Sequence, residues 1–370
     1  MTRPVHYLDH NATAPIRPEA AAAVMRALTD GGNPSSVHAV GRRARAVVDD
    51  AREAVAALVN ARPEQVIFTS GGTESDVLAL RGCGRPRAIV SAVEHQAVLK
   101  AHPDAAVCPV TADGLIDLAA LETLLAEAQA DGQVVVSVML ANNETGVIQP
   151  VKDVVRLARA HGALVHCDAV QGPGRIFTDV HALRVDLLSL SAHKIGGPPG
   201  VGALIATDPA ALQPLFPGGQ ERGKRAGTEN VPGLAGFAAA ARVVAERWRE
   251  EAAVLGTLRR RLEEGILAAQ PQAVIWGGGA ARLPNTVCVG LPGVAAQGQL
   301  MTLDLAGVCV SAGAACSSGK VGPSHVLQAM GATDTAAREA IRVSLGWSST
   351  AADVEAFLRA WQPLAARAVA

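Results

Sequence analysis

Lysine is scarce in this chain. Of the 33 basic residues among 370, only Lys100, Lys152, Lys194, Lys224 and Lys320 are lysines. Chemistry that needs a side-chain primary amine therefore has five candidates. An excess of one charge is also missing: 33 basic against 34 acidic residues leave a net charge of -1. Without a basic excess to hold a phosphate backbone, nucleic acid is not expected as a primary partner. Charged residues make up 18% and hydrophobic residues 49%, which excludes a disordered chain. The length suits two domains and a large buried core.

Long apolar runs are absent too. The longest, Val134 to Ala141, is interrupted by Ser137 and falls far short of the ~20 residues of a membrane helix. Met1 to Leu8 lacks a basic start followed by an apolar run, so no secretory signal is read. A soluble, cytoplasmic protein with no membrane partner is expected. The cysteines at 83, 108, 167, 288, 309 and 316 form no CxxC pair and no zinc-type spacing with histidine, so neither a metal site nor a disulfide framework is expected. Five of them read as small buried apolar residues. Cys316, set among Gly, Ala and Ser, reads instead as an exposed loop residue.

The middle of the chain alternates short apolar runs with helical patterns. Val66–Thr69, Ala88–Ser91, Val134–Leu140, Ala163–Cys167, Leu187–Leu190 and Gly202–Ala206 read as strands, several of them apolar at consecutive positions, as expected when both faces are buried. Ser75–Leu80, Leu118–Ala130 and Val151–His161 read as helices between them. This alternation predicts an α/β fold with a mostly parallel sheet covered by helices, and ligands at the C-terminal edge of the strands. Gly218 to Pro232 reads as a long loop. A helix from about Leu234 to Ala269 bridges to a smaller α+β domain. That domain has strands near Asn285–Val289 and Val308–Ser311 and helices near Ala336–Ile341 and Ala351–Arg359.

Three stretches carry chemistry. Thr69-Ser70-Gly71-Gly72-Thr73-Glu74-Ser75 lies between a strand and a helix. Its glycines and the helix N-terminus suit a phosphate, though an ordinary capped turn would read the same way. His166-Cys167-Asp168-Ala169-Val170-Gln171 ends an apolar strand, with Asp168 and Gln171 three apart and able to reach one ligand; an N-cap Asp is the plainer reading. Ser191-Ala192-His193-Lys194 leads into a Gly/Pro bend, Gly196 to Gly200. Lys194 there is either a functional amine or a solvated surface lysine. A phosphate seat, a strand-end acid and a strand-end lysine together suit pyridoxal phosphate: the lysine makes a Schiff base and the acid pairs with the pyridine nitrogen.

These motifs resemble the class V aminotransferase group of pyridoxal phosphate enzymes, specifically the NifS/IscS-type cysteine desulfurases. The likeness runs in order through Tyr7-Leu8-Asp9-His10-Asn11-Ala12-Thr13, Gly32 to His38, the three motifs above, Val93-Glu94-His95, Asn142-Asn143-Glu144-Thr145-Gly146, Gln220 to Asn230, Ser311 to Ser318 and Arg342 to Gly346. It implies a fold-type I transferase with a large cofactor-binding domain over residues 16–248. A small α+β domain would comprise residues 1–15 and 249–370 and carry Cys316.

The resemblance also implies roles. Lys194 would bind the cofactor covalently and shuttle protons. Asp168 would hold the pyridinium nitrogen, Gln171 the ring's phenolic oxygen, and His95 would stack on the ring and accept a proton. Read alone, His95 is better explained as a satisfied core histidine. Gly72, Thr73, Ser191 and His193 would hold the phosphate, and Thr228 would reach the phosphate of a partner subunit, which implies a homodimer. Asn143 would sit near the ring oxygen and substrate carboxylate. Arg342 would bind that carboxylate, although in isolation it reads as a surface arginine. Cys316 thiolate would attack the sulfur of L-cysteine, release alanine and hold a persulfide for a sulfur-acceptor protein, such as an iron–sulfur scaffold or another thio-cofactor pathway. Ser317 to His325 resembles the long-loop group of the family. His10 stands where many relatives have Asn, and Gly72 where some have Ala. Two other readings remain: a selenocysteine lyase or related enzyme of the same family, and a non-catalytic scaffold that kept the fold.

Overall fold

The computed structural model describes residues 4–128, 133–313 and 322–367. Strand β1 (His6–Tyr7) comes first. The central strands follow: β2 (Val66–Thr69), β3 (Arg87–Ser91), β4 (Ala106–Cys108), β5 (Val134–Ser137), β6 (Leu164–Asp168), β7 (Leu187–Ser191) and β8 (Gly202–Ala206). They form a seven-stranded sheet in the order β2-β8-β7-β6-β5-β3-β4. β3 to β7 pair in parallel, whereas β8 runs antiparallel to both its neighbours. β2, β5, β7 and β8 are buried along their whole length. Helices cover both faces, which is why these runs are apolar without alternation.

The chain closes with β9 (Val274–Ile275), β10 (Thr286–Gly290), β11 (Val308–Cys309), β12 (Ser311–Ala312) and β13 (Ala340–Ser344). A second sheet has the order β12-β13-β10-β9, and β1 pairs in parallel with β11 beside it. One helix, Val231–Ala269, joins the two parts and runs unbroken through position 248. Its first half, through Phe237 and Val244, packs into the core under the central sheet; its second half, through Leu258, Leu262 and Ile266, packs with Phe357 and Trp361 into another. No helix among the described residues is long and apolar enough to cross a membrane.

The observed elements differ from the sequence reading in several places; the strand read near Val308–Ser311, for one, is two, β11 and β12. Ala336–Ile341 is not one helix: a short helix Asp334–Arg338 ends at Glu339, and Ile341 lies in β13. The good helix formers through Ala340 favour a helix locally, but pairing with β10 and β12 on either side decides the matter. β5 stops at Ser137, short of Leu140. Cys309 is only partly covered, unlike the buried Cys83, Cys108, Cys167 and Cys288.

The long loop after β8 is tied back by a buried ion pair. Arg52 Nη2 donates to Glu221 Oε1 at 2.7 Å and its Nη1 to Oε2 at 2.8 Å, while Glu221 also accepts from Phe68 N–H. Glu221 and Arg222 both hold left-handed backbone, φ 46° and 57°, a strained pair that these contacts restrain. Arg52→Ala strands a buried carboxylate and is expected to cost about 3–5 kcal/mol, measured as a lower midpoint of urea unfolding.

Candidate active site

The C-terminal ends of β6 and β7 open on a cavity of about 420 Å³, a size suited to a small organic ligand. Gly72, Thr73, His95, Asn143, Asp168, Gln171, Ser191, His193, Lys194 and Arg342 all line it. Ten of the twelve residues singled out in the sequence thus converge there. Thr228 does not. It is exposed and lines a separate cleft of about 120 Å³ with Ser70, Gly200 and Arg225. Cys316 lies outside the described residues; Ser311, Ala312 and Gly313, just before it in the chain, line the cavity.

Asp168 ends β6, and its side chain is nearly enclosed at 8% exposure. Oδ1 accepts from Val170 N–H at 2.9 Å, so it does cap the next turn. Burial raises its pKa, while the Val170 N–H and the charge of Lys194 act in the opposite direction. Two further acids lie close. Asp76 and Glu94 are both pushed well above the usual carboxylate range, by desolvation first and then by the charge of Asp168. The three cannot all ionise together in one buried volume. Of the three, only Asp168 faces the Lys194 amine, whose charge opposes the upward shift.

Lys194 does not end a strand as the sequence suggests: β7 stops at Ser191, and Ala192–Lys194 forms a 3₁₀ turn. That turn carries the amine across the strand end. Nζ donates to Asn11 O at 2.6 Å and to Ala12 O at 2.8 Å. His193 Nδ1 lies 3.2 Å from Thr13 Oγ1, and burial followed by the Lys194 charge lowers its pKa to about 4. Burial also lowers the pKa of His95, so its ring is neutral near pH 7; Nδ1 accepts from Ala97 N–H, capping the short helix Gln96–Leu99.

The helix Gly72–Gly82 begins at the cavity wall. The first N–H groups of a helix have no partner within it, and those of Gly72 and Thr73 start here. A Cβ on Gly72 would come within 2.9 Å of Val170 Cγ2, so alanine there would need that neighbour to shift. On the far side stands Arg342, buried in β13. Nη2 donates to Asp9 Oδ1 at 2.7 Å and Nη1 to Asn143 O at 3.1 Å, while Nε has no partner among the described residues.

Several contributors escaped the sequence reading. Asp9 holds Arg342, the Asn11 and Ala12 carbonyls hold Lys194, and Arg175 sits behind Gln171. Asp76 also lines the cavity; its place one turn after Gly72 on the same helix could have found it.

This fold and this cavity have known counterparts. Residues 6–357 match the aminotransferase class-V family, and the chain belongs to that family. A cysteine desulfurase of Cereibacter sphaeroides is 43% identical over 97% of this chain and 95% of its own length. The IscS-like cysteine desulfurase of Mycobacterium tuberculosis is 41% identical, over 98% of this chain and 96% of its own. Among solved structures, a NifS-like protein from Rickettsia africae superposes with a TM-score of 0.89 at 34% identity, covering 98% of this chain and 99% of that one.

Proposed function

We propose that this chain is a cysteine desulfurase that uses pyridoxal phosphate to convert L-cysteine into L-alanine and moves the sulfur to Cys316. The observation that carries the reading is the convergence of an amine, a buried carboxylate and a helix N-terminus on one cavity that also holds Arg342. The donor set fits the cofactor. Asp168 offers an anion for a pyridinium nitrogen. The Gly72–Gly82 helix start, with Ser191 and His193, offers donors for a phosphate, and Lys194 offers the amine for an aldehyde. Bound there, the cofactor would supply an electron sink for bonds next to the substrate's amine-bearing carbon.

This chain's own residues then do the rest. Arg342, with Nε unpartnered, would take the substrate carboxylate in its planar fork. Neutral His95 is able to accept a proton, and Lys194 to carry one to and from the substrate carbon. Cys316 thiolate would attack the substrate sulfur; the C–S electron pair leaves on carbon, which takes a proton and becomes the methyl of alanine. The S–S bond forms as the C–S bond breaks, so no outside oxidant is needed. Gly313 lines the cavity and Cys316 is three residues on, a span of at most about 11 Å of chain. The exposed position of Thr228, off its own subunit's cavity, supports its service to a second copy in a homodimer. An acceptor protein would take the sulfur onward.

The test is the rate of alanine formation from L-cysteine and from L-selenocysteine by cofactor-loaded protein. Turnover of L-cysteine is expected; a protein active on selenocysteine alone would favour a selenocysteine lyase.

A further inference from the structure

Arg175 is a buried guanidinium, 6% exposed, and no carboxylate lies within ion-pair distance of it among the described residues. Buried charges are ordinarily paired, because desolvating one alone is costly. Its contacts are all neutral: Nη1 donates to Gln171 Oε1 at 2.5 Å and to Gln171 O at 3.0 Å, and Nη2 reaches His10 O at 3.5 Å. Burial, then Arg342, lowers its pKa only to about 10, so it stays cationic near neutral pH. Its field is felt nearby: the His10 imidazole falls to about 4, through burial first and Arg175 second.

The two neighbours of the Gln171 amide settle which way it points. Arg175 only donates and the Asn11 carbonyl only accepts, so Oε1 must face Arg175 and Nε2 must face Asn11 O, at 3.0 Å, on the cavity side. Reversing the amide would set N–H against N–H and oxygen against oxygen.

We propose that Arg175 is a positioning residue for the ring oxygen of the bound cofactor, acting through Gln171: it locks the amide with its NH₂ toward the cavity and sets a positive charge behind it. This rests on the reading that the cavity holds pyridoxal phosphate. A guanidinium on the carbonyl side polarises the amide, so that Nε2 becomes a stronger donor to an anionic oxygen. The same charge opposes a further proton on the cofactor's linkage to Lys194. The other titratable groups facing this region are His10, Lys194 and Arg342, with the Arg17–Glu251 pair beside a small cavity of about 30 Å³ and Asp168 and His95 across the larger one. Substituting Arg175 leaves their identities unchanged.

The experiment is a pH titration of the visible absorbance band of the holoenzyme, with Arg175→Met, Arg175→Gln and Arg175→Lys beside the wild type. Losing the charge favours the protonated form, so both neutral variants are expected to raise the midpoint by about one pH unit. kcat should fall about tenfold while KM for L-cysteine changes less than about twofold. Arg175→Lys keeps the charge and should restore the wild-type midpoint to within a few tenths of a unit. An unmoved midpoint in either folded, cofactor-loaded neutral variant would overturn the proposal. So would failure of both neutral variants to fold, which would assign Arg175 to stability. A wild type without any visible band would instead sink the cofactor reading itself and is recognised before a variant is made.

Discussion

Lys194→Ala is expected to abolish both the visible cofactor band and turnover of L-cysteine, with kcat/KM down by at least about 10⁴-fold. Its side chain is held by two backbone carbonyls, Asn11 O and Ala12 O, at the mouth of the cavity. No other lysine among the described residues lines that cavity, so none can substitute. Removing the amine would delete the proposed covalent anchor and proton carrier together. Fold stability should be little changed. Lys194 lies in a short turn beyond β7, outside the apolar core. A spectrum, a melting curve and a rate on one preparation separate these claims. A variant that keeps the band would show that another amine anchors the cofactor.

Cys316→Ala is expected to give the opposite signature: the cofactor band intact, sulfur transfer gone. Alanine formation from L-cysteine should drop by about 10³-fold or more, equivalent to roughly 4 kcal/mol of barrier. The thiolate is the only group in the proposed chemistry that accepts the substrate sulfur, and a nearby serine hydroxyl is a far weaker nucleophile for sulfur. The remaining five cysteines cannot take its place. Cys83, Cys108, Cys167 and Cys288 are buried and Cys309 is partly covered, and burial raises the pKa of each, so little thiolate is present near pH 7. L-selenocysteine needs less help from a protein thiol, so its turnover should fall less. Full activity of Cys316→Ala on L-cysteine would remove the mechanism proposed here.

Six of the seven central strands were readable from sequence because strands buried on both faces leave continuous apolar runs, bounded by glycines and charged helix starts; the edge strand β4, three residues long with Val107 exposed, leaves no such run. β13 was not, because Ala336 to Ala340 favour a helix and only the register with β10 and β12 decides for a strand. Much the same division holds in the site. Gly72, Asp168 and Lys194 announce themselves through local context: a Gly-rich turn, an acid at a strand end, a lysine beside a Gly/Pro bend. The partners that orient them come from far along the chain. Asp9 meets Arg342 across 333 positions, and Gln171 meets Asn11 across 160. The Asn11 and Ala12 carbonyls that hold Lys194 have no side-chain signature at all. Arg175 is four residues from Gln171 in sequence, yet only its burial without a counter-ion sets it apart from the chain's many other arginines. Thr228 is on a different surface from the residues with which the family motif groups it, as it would be if it served another subunit.

The scarcity of lysine thus has structural content: of the described lysines, only Lys194 is carried by a turn into the cavity that Asp168 also lines. What the account claims above all is that sulfur leaves L-cysteine for Cys316. Mass spectrometry of the Cys316 peptide, after the cofactor-loaded protein is incubated with L-cysteine and quenched without reductant, tests this directly. A gain of one sulfur atom on that peptide, absent in Lys194→Ala and removed by a thiol reductant, is the predicted result. Alanine formed at full rate while the Cys316 peptide keeps its original mass would contradict it.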